Sequence, residues 1–286
     1  MFSSNNPLNT MNIARVFPRR TNLTPDDANA YVGLPDLLTP HYDEVRISVT
    51  FSYDKTYAEQ LAVEWERYAD KILLGGIAYG DPGSVFIPGE YVKFGAVMTS
   101  RGCPNSDCFF CDVPDREGDI RELPITMGWN LLDSNILACS ETHIRAVFEM
   151  FKICKREYHQ PILLTGGLEA KRLKYWHVEL IKEVKPKYIF FANDTPDDYE
   201  YLVLARKILT AFEIPACSLR CYVLIGYQGD TIGQAEKRLR QTLDLGYVPM
   251  AMLYRDLSGK VDKTWSKFQR LWVRPGIINS KFGGRM

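Results

Sequence analysis

Three cysteines fall within nine residues, Cys103-Pro-Asn-Ser-Asp-Cys108-Phe-Phe-Cys111, directly after the apolar run Val92-Lys-Phe-Gly-Ala-Val-Met98. Thiolates that close in sequence, on a loop leaving a strand, can converge on one metal centre. Three is the informative number. A cubane iron–sulfur cluster has four irons, so three protein thiolates leave one iron open to another ligand. The competing reading is a structural zinc site using the same cysteines with Cys139 or His143 as a fourth ligand. Such sites usually pair two Cys-x2-Cys elements, and this chain has one, Cys108 to Cys111.

The elements that must position these thiols come in a repeating order. From Tyr91 onward short apolar runs alternate with amphipathic helices, the pattern of a parallel sheet covered by helices. Strands are expected at about 92–98, 129–132, 162–164, 188–191, 220–225 and 249–253. Between them Ile144, Val147, Phe148 and Phe151 share a helical face, as do Leu202, Ala205, Leu209 and Phe212. Similar stripes run through Leu173 to Val184 and Ile232 to Leu243. Six β/α units are too few to close an eight-stranded barrel, so the expected fold class is α/β with an open partial (β/α)6 barrel. Reactive groups in such folds gather at the carboxyl ends of strands. Those ends hold the cysteines, then Asp133 and Asn135, then Gly166, Gly167 and Glu169, then Asn193 and Asp194, and last Gly226.

Residues 11–90 read as a small Rossmann-like α/β unit in front of this barrel, which spans 91–255. Strand character is clear at 13–17, 45–51 and 72–74, and a helix over 55–68 puts Tyr57, Leu61, Trp65 and Tyr68 on one face. Residues 1–10 read as a loose polar tail. Asp81-Pro-Gly83 and Pro88-Gly89 mark turns between the units. Residues 256–286 carry no β/α signature. There Trp265, Phe268, Leu271 and Trp272 share a face, so the segment reads as a docking helix with a solvated basic side, ending at Gly283-Gly284.

Composition bounds the function classes. The chain of 286 residues has 35 basic and 35 acidic residues, so global charge argues for neither nucleic acid nor a membrane surface. No apolar stretch has the length of a membrane span, and Met1-Phe-Ser-Ser lacks the basic and apolar regions of a signal peptide. The seven cysteines, an odd number, do not form a secreted disulfide framework. A cytoplasmic protein with no membrane partner is expected. Cys139, Cys154, Cys217 and Cys221 then read as small apolar residues in a reducing compartment.

Thr99-Ser-Arg-Gly-Cys-Pro-Asn with Cys108 and Phe110-Cys111 resembles the radical S-adenosylmethionine (radical SAM) superfamily. The likeness extends to Asp133-Ser-Asn-Ile-Leu and to Leu224-Ile-Gly-Tyr-Gln-Gly-Asp-Thr, which is similar to the superfamily's Gly-x-Pro-Gly-Glu-Thr turn, and covers roughly 91–254. Residues 11–90, with Leu74-Gly-Gly-Ile-Ala, resemble a shortened cobalamin-binding-type domain. Two departures stand out. Four residues rather than three separate Cys103 from Cys108, an extra residue that the turn formers Asn105-Ser106-Asp107 can absorb. The first unit also lacks Asp-x-His-x-x-Gly, its only histidine being His41.

The resemblance implies that Cys103, Cys108 and Cys111 hold a 4Fe–4S cluster whose fourth iron is chelated by S-adenosylmethionine. It implies that Phe110 packs beside the cluster or adenine, and that Asp133 and Asn135 meet the methionine amino group. Gly166 and Gly167 would let backbone approach the cofactor. Glu169 would reach a ribose hydroxyl or the ammonium, and Asn193 and Gly226 would line the adenosine. An external one-electron reductant, flavodoxin- or ferredoxin-like, is implied, acting ahead of a small-molecule or nucleotide-type substrate. Cys139, Cys217, Cys221, Tyr222 and Tyr254 are unranked candidates for acid/base or hydrogen-donor roles. A zinc-binding protein or a non-catalytic barrel-derived binding protein is the alternative, and a cobalamin-dependent methyltransferase is a third reading.

Overall fold

The computed structural model describes residues 11–81, 85–106, 108–195 and 197–282. The tail expected at 1–10, most of the turn at 81–83 and the Gly283-Gly284 end lie outside these residues. The chain divides into two compact units, Met1–Gly83 with Gly89–Lys93, and Ser84–Pro88 with Phe94–Met286.

In the first unit, strands β1 (Ile13–Phe17), β2 (Ala30–Val32) and β3 (Tyr42–Ser48) precede helix α1 (Lys55–Trp65) and strand β4 (Ala69–Gly75). The sheet order is β2-β1-β3-β4, with every pair parallel. Side chains alternate across a strand, so Ala14 and Val16 of β1 and Val45 and Ile47 of β3 face one side and bury there. Helix α1 covers that side with Ala58, Leu61 and Trp65. The indole of Trp65 donates to Gly33 O at 3.1 Å. The opposite side is polar: Glu44 accepts from Arg46 and Lys71, and Arg46 also reaches Glu90.

Three differences from the sequence expectation have local causes. The α-helix stops at Trp65 and runs to Tyr68 as a single 3-10 turn. The strand expected over 45–51 starts at Tyr42 and ends at Ser48, because Ser52–Asp54 already turns into α1. Strand β2 has only three residues and no apolar alternation to announce it.

The second unit begins with β5 (Ala96–Val97), β6 (Ser100–Arg101), the short helix α2 (Val113–Glu117), β7 (Arg121–Glu122) and β8 (Asn130–Leu131). Regular alternation follows: α3 (Glu141–Tyr158), β9 (Leu163–Leu168), α4 (Tyr175–Val184), β10 (Tyr188–Ala192), α5 (Asp198–Ala211), β11 (Leu219–Ile225), α6 (Ile232–Asp244) and β12 (Val248–Leu253). Helices α7 (Lys263–Leu271) and α8 (Pro275–Phe282) end the described chain. The protein is thus α/β with parallel sheets.

The larger sheet has six strands in the order β12-β11-β10-β9-β8-β5, all parallel. Strands β6 and β7 form a separate antiparallel hairpin inserted between β5 and β8. The expected strand over 92–98 therefore contributes only two paired residues, and the chain beyond Val97 leaves for the hairpin. Strand β11 shows how the core is built: Leu219, Cys221, Val223 and Ile225 are buried with the helices, while Arg220, Tyr222 and Leu224 face the other side. Helix α7 docks through Trp265 and Phe268, and it is fastened by Gln269 Nε2 to Ala251 O at 3.1 Å and Ala251 N to Trp272 O at 3.1 Å.

Candidate functional site

The cysteine loop leaves strand β6 and returns through α2 to β7. Its neck is closed by main chain, with Cys103 N donating to Gly118 O at 3.1 Å, and by the buried carboxylate of Glu117, which accepts Gly102 N at 3.1 Å. Arg116 donates a further bond to Glu117 at 3.2 Å. At the far side Cys111 N donates to Cys108 O at 2.9 Å, a tight turn that brings this pair together.

All seven cysteines are free thiols, and Cys103, Cys108 and Cys111 are each half-buried. Burial pushes the Cys108 thiol up to about 11, with Cys111 and then Cys103 adding to the push, so the three lie within electrostatic reach of one another. Asp198 and Asp194, which follow β10, also raise the Cys108 pKa. Cys111 is raised as well, by burial first. Among the described residues no group of three His, Cys, Asp or Glu side chains is already arranged to hold a metal ion.

The strand-end residues divide into two groups. Asn135 is 3 % exposed, and its Nδ2 donates to Glu169 Oε2 at 2.8 Å while lying 3.5 Å from Cys103 Sγ. A carboxylate accepts only, so Glu169 fixes the amide with Oδ1 on the other side. That oxygen is buried without a partner among the described residues. Arg172 holds Glu169 from behind. An ideal Cβ on Gly167, whose φ is +92°, would meet nothing within 4 Å, so this position opens onto space. Phe110 packs edge-on against Phe109, with ring centroids 5.2 Å apart.

The second group is turned into the protein. Asp133 is 1 % exposed and accepts Thr99 N at 2.6 Å, Thr99 Oγ1 at 2.6 Å and Ser100 Oγ at 2.8 Å. Burial raises its carboxyl pKa against the pull of those bonds. Its oxygens are spent on tying the end of β8 to the chain entering the cysteine loop. Gly166 approaches backbone, not open space: a Cβ there would stand 2.1 Å from Asp133 O. Asn193 donates through Nδ2 to Thr242 Oγ1 of α6 at 2.9 Å, on the helix side of the sheet. Gly226 N donates to Asp230 Oδ2 at 2.8 Å, and Arg238 braces that turn through Asp230 and Leu224 O. Beside it, burial pushes the Asp194 carboxyl up to about 7, while Leu224 N donates to that carboxylate at 2.7 Å.

Further residues shape the site in roles that the sequence did not indicate. Tyr227, two residues past β11, donates its hydroxyl to Phe109 O at 3.0 Å and packs on the Phe109 ring at 5.0 Å. Tyr254, just after β12, meets Tyr227 edge-on at 4.8 Å. A loop leaving one side of the sheet is thus clasped by residues from the other, over the strand ends. The aromatic doublet Phe109-Phe110 was the one available signal. Glu117 had none, and Thr99 and Ser100 stood in the cysteine motif with no role assigned to them.

On the face of the sheet opposite the buried residues of β11, Tyr222 donates to Thr165 O at 3.0 Å and Thr165 Oγ1 donates to Asn130 Oδ1 at 2.6 Å. Tyr222 also stacks on Phe190 at 4.6 Å. Of the remaining candidates, Cys221 is fully buried, Cys217 is exposed, and Cys139 is half-buried with its thiol pushed up to about 11 by burial.

No family model matches the chain, and no curated protein matches it in sequence. Among the described residues no helix is long and apolar enough to cross a membrane.

Proposed function

We propose that this chain is a radical SAM enzyme in which Cys103, Cys108 and Cys111 hold a 4Fe–4S cluster. The observation that carries the reading is one loop bearing three free, half-buried thiols over the carboxyl ends of sequential parallel strands, beside an Asn135 oxygen lacking a donor. Six parallel strands in unbroken spatial order, with helices on one face, support the open partial (β/α)6 barrel. The four parallel strands of the first unit support a small Rossmann-like fold. Its reading as a truncated cobalamin-binding-type domain stands on sequence likeness.

The donor set suits the group: three free thiols on one loop, with burial raising the pKa of Cys108 and of Cys111, so loading would release protons. The sulfurs would have to draw closer than they stand. When bound, a 4Fe–4S cluster with S-adenosylmethionine supplies one-electron cleavage of the sulfonium to methionine and a 5′-deoxyadenosyl radical.

The chain's own residues position and shield that chemistry. Asn135 Oδ1 would accept from the methionine ammonium, with Glu169 and Arg172 holding its orientation. Asp133 is a positioning residue that sets, through Thr99 and Ser100, how the chain enters the loop. Phe110, Phe109 and Tyr227 exclude water on the outer side. Asn130, Thr165 and Tyr222 line the face where a small-molecule or nucleotide-type substrate would lie, and an external flavodoxin- or ferredoxin-like reductant would deliver the electron.

The competing reading, a zinc-binding or non-catalytic barrel-derived protein, draws on the thiols not being gathered already. Anaerobic reconstitution with iron and sulfide separates the two. The proposal expects about four irons per chain, brown absorption, a paramagnetic signal on reduction, and 5′-deoxyadenosine formed from S-adenosylmethionine. Each cysteine-to-alanine variant should lose all four. Bound zinc with no visible absorption, or a brown protein unchanged by those substitutions, would refute it.

A further inference from the structure

The two C-terminal helices carry cations that have no counter-charge of their own. Residues 255–286 contain eight basic and two acidic residues, in a chain whose formal net charge is zero. Lys263, Lys267 and Arg270 stand at intervals of four and three along α7, so they form one stripe. Trp265, Phe268 and Trp272 form the opposite stripe and dock on the sheet unit, which leaves the cations facing solvent. Arg274 and Lys281 extend the exposed row, and α8 is held in place by Phe282 stacked on Trp272 at 4.0 Å.

Some exposed cations elsewhere are answered within the chain, while others, such as Lys185, Lys207 and Lys237, stand singly on separate elements and form no stripe. Arg145 pairs with Glu141, Lys152 with Glu149 and Glu183, Lys182 with Glu213, and Arg240 with Glu236. No such partner exists among the described residues for Lys263, Lys267, Arg270, Arg274 or Lys281. The two nearby acids are occupied: Asp262 caps α7 through Thr264 N and Trp265 N, and Asp256 accepts from Ser258.

We infer that the solvent face of α7 and α8 binds the phosphodiester backbone of a nucleic acid. Charge complementarity calls for a polyanion. Composition then selects the class, because protein–protein interfaces are depleted in lysine and centred on apolar or aromatic anchors. This stripe is lysine-rich, and its tryptophans are engaged in packing on the other side. Cations spaced about 6 and 4.5 Å along a helix axis suit phosphate contacts, which position a polymer without reading its bases. The inference does not depend on the chemistry at the cysteine loop.

The test uses the full chain and fluorescein-labelled 20-nucleotide RNA and DNA of one sequence, single-stranded and duplex, read by anisotropy across a salt series. Binding should weaken steeply with salt. The combined change Lys263→Gln, Lys267→Gln and Arg270→Gln should lower affinity at least ~10-fold near 0.1 M salt and reduce the log–log salt slope by about 2–3. The control Arg145→Gln, Lys152→Gln and Arg156→Gln removes the same charge from α3 and should leave binding nearly unchanged, with unfolding temperatures compared for all three proteins. Comparing the RNA and DNA arms identifies the polymer. Failure of the native chain to bind at low salt, or equal losses in both triple variants, overturns the inference. So does poly-L-glutamate displacing the oligonucleotides at equal charge, which would assign the face to an acidic protein.

Discussion

Changing Gly166 to alanine is expected to weaken the folded chain itself, whether or not any cofactor is bound. An ideal Cβ at this position lies 2.1 Å from Asp133 O and 2.8 Å from both Asp133 N and Leu132 C, whereas ordinary contact begins at 3.4 Å. Relief requires a displacement of roughly 1.3 Å, and the obstacle is backbone that cannot rotate aside. Asp133 is in turn held by Thr99 and Ser100, so moving it strains charge-assisted hydrogen bonds. Overpacking costs ~1–3 kcal/mol, and losing one such bond adds ~1.5–3 kcal/mol. The sum is about 3–5 kcal/mol, a fall of roughly 10 °C in Tm for a unit of this size. Gly167→Ala is the internal control. It meets no neighbour within 4 Å and bears only the strain of φ +92°, worth ~1–2 kcal/mol. Scanning calorimetry of metal-free protein, prepared anaerobically with chelator, compares the two. A Gly166→Ala protein as stable as the native chain, impaired only in S-adenosylmethionine binding, would refute the packing argument and return this glycine to the cofactor.

Three further outcomes are expected. Asp133→Ala should cost ~3–4 kcal/mol by leaving Thr99 N and two hydroxyls without their acceptor, and Asp133→Asn about half as much; equal losses in urea unfolding would count against the bonding scheme. His177 Nδ1 accepts Lys174 N at 3.0 Å, and burial pulls its pKa down from 6.5 to about 4, so stability is complete above pH 6.5 and drains as pH falls toward 4. After allowance for solvent screening that loss is about 2 kcal/mol; a His177→Asn variant with the same pH–stability profile would contradict it. Tyr227→Phe keeps the ring but removes the hydroxyl bond to Phe109 O, costing the fold at most about 1 kcal/mol while raising the iodoacetamide alkylation rate of Cys108 several-fold. An unaltered rate would show that the clasp does not hold the loop.

Much of the fold could be read from apolar periodicity, because helices α3 to α6 and strands β9 to β12 each bury one regular face. What escaped was short or non-local. Strand β2 and the β6–β7 hairpin are too brief to show a period. At the site, spacing singled out the three cysteines and strand-end position singled out Asp133 with Asn135, yet neither could say which way a strand-end side chain turns. Asp133 and Asn193 were expected to face a cofactor and instead bond inside the protein, to Thr99 and Ser100 and to Thr242. Both lie past the paired residues of their strands, where the chain no longer keeps the strand's alternation and parity does not set which way a side chain turns. Tyr227 escaped because its partner lies 118 residues away, and no local pattern encodes such a contact.

The clasp between Tyr227 and Phe109 also has a timetable. Each strand of the larger sheet pairs with its predecessor in the chain, so the sheet can grow as the polypeptide leaves the ribosome. The cysteines emerge near the start of that process, and the residue that fastens their loop arrives 118 positions after Phe109. At ordinary translation speeds this is an interval of roughly 6–24 s. Metal delivered during it meets an unfastened loop. Metal delivered later must first part a tyrosine from a carbonyl.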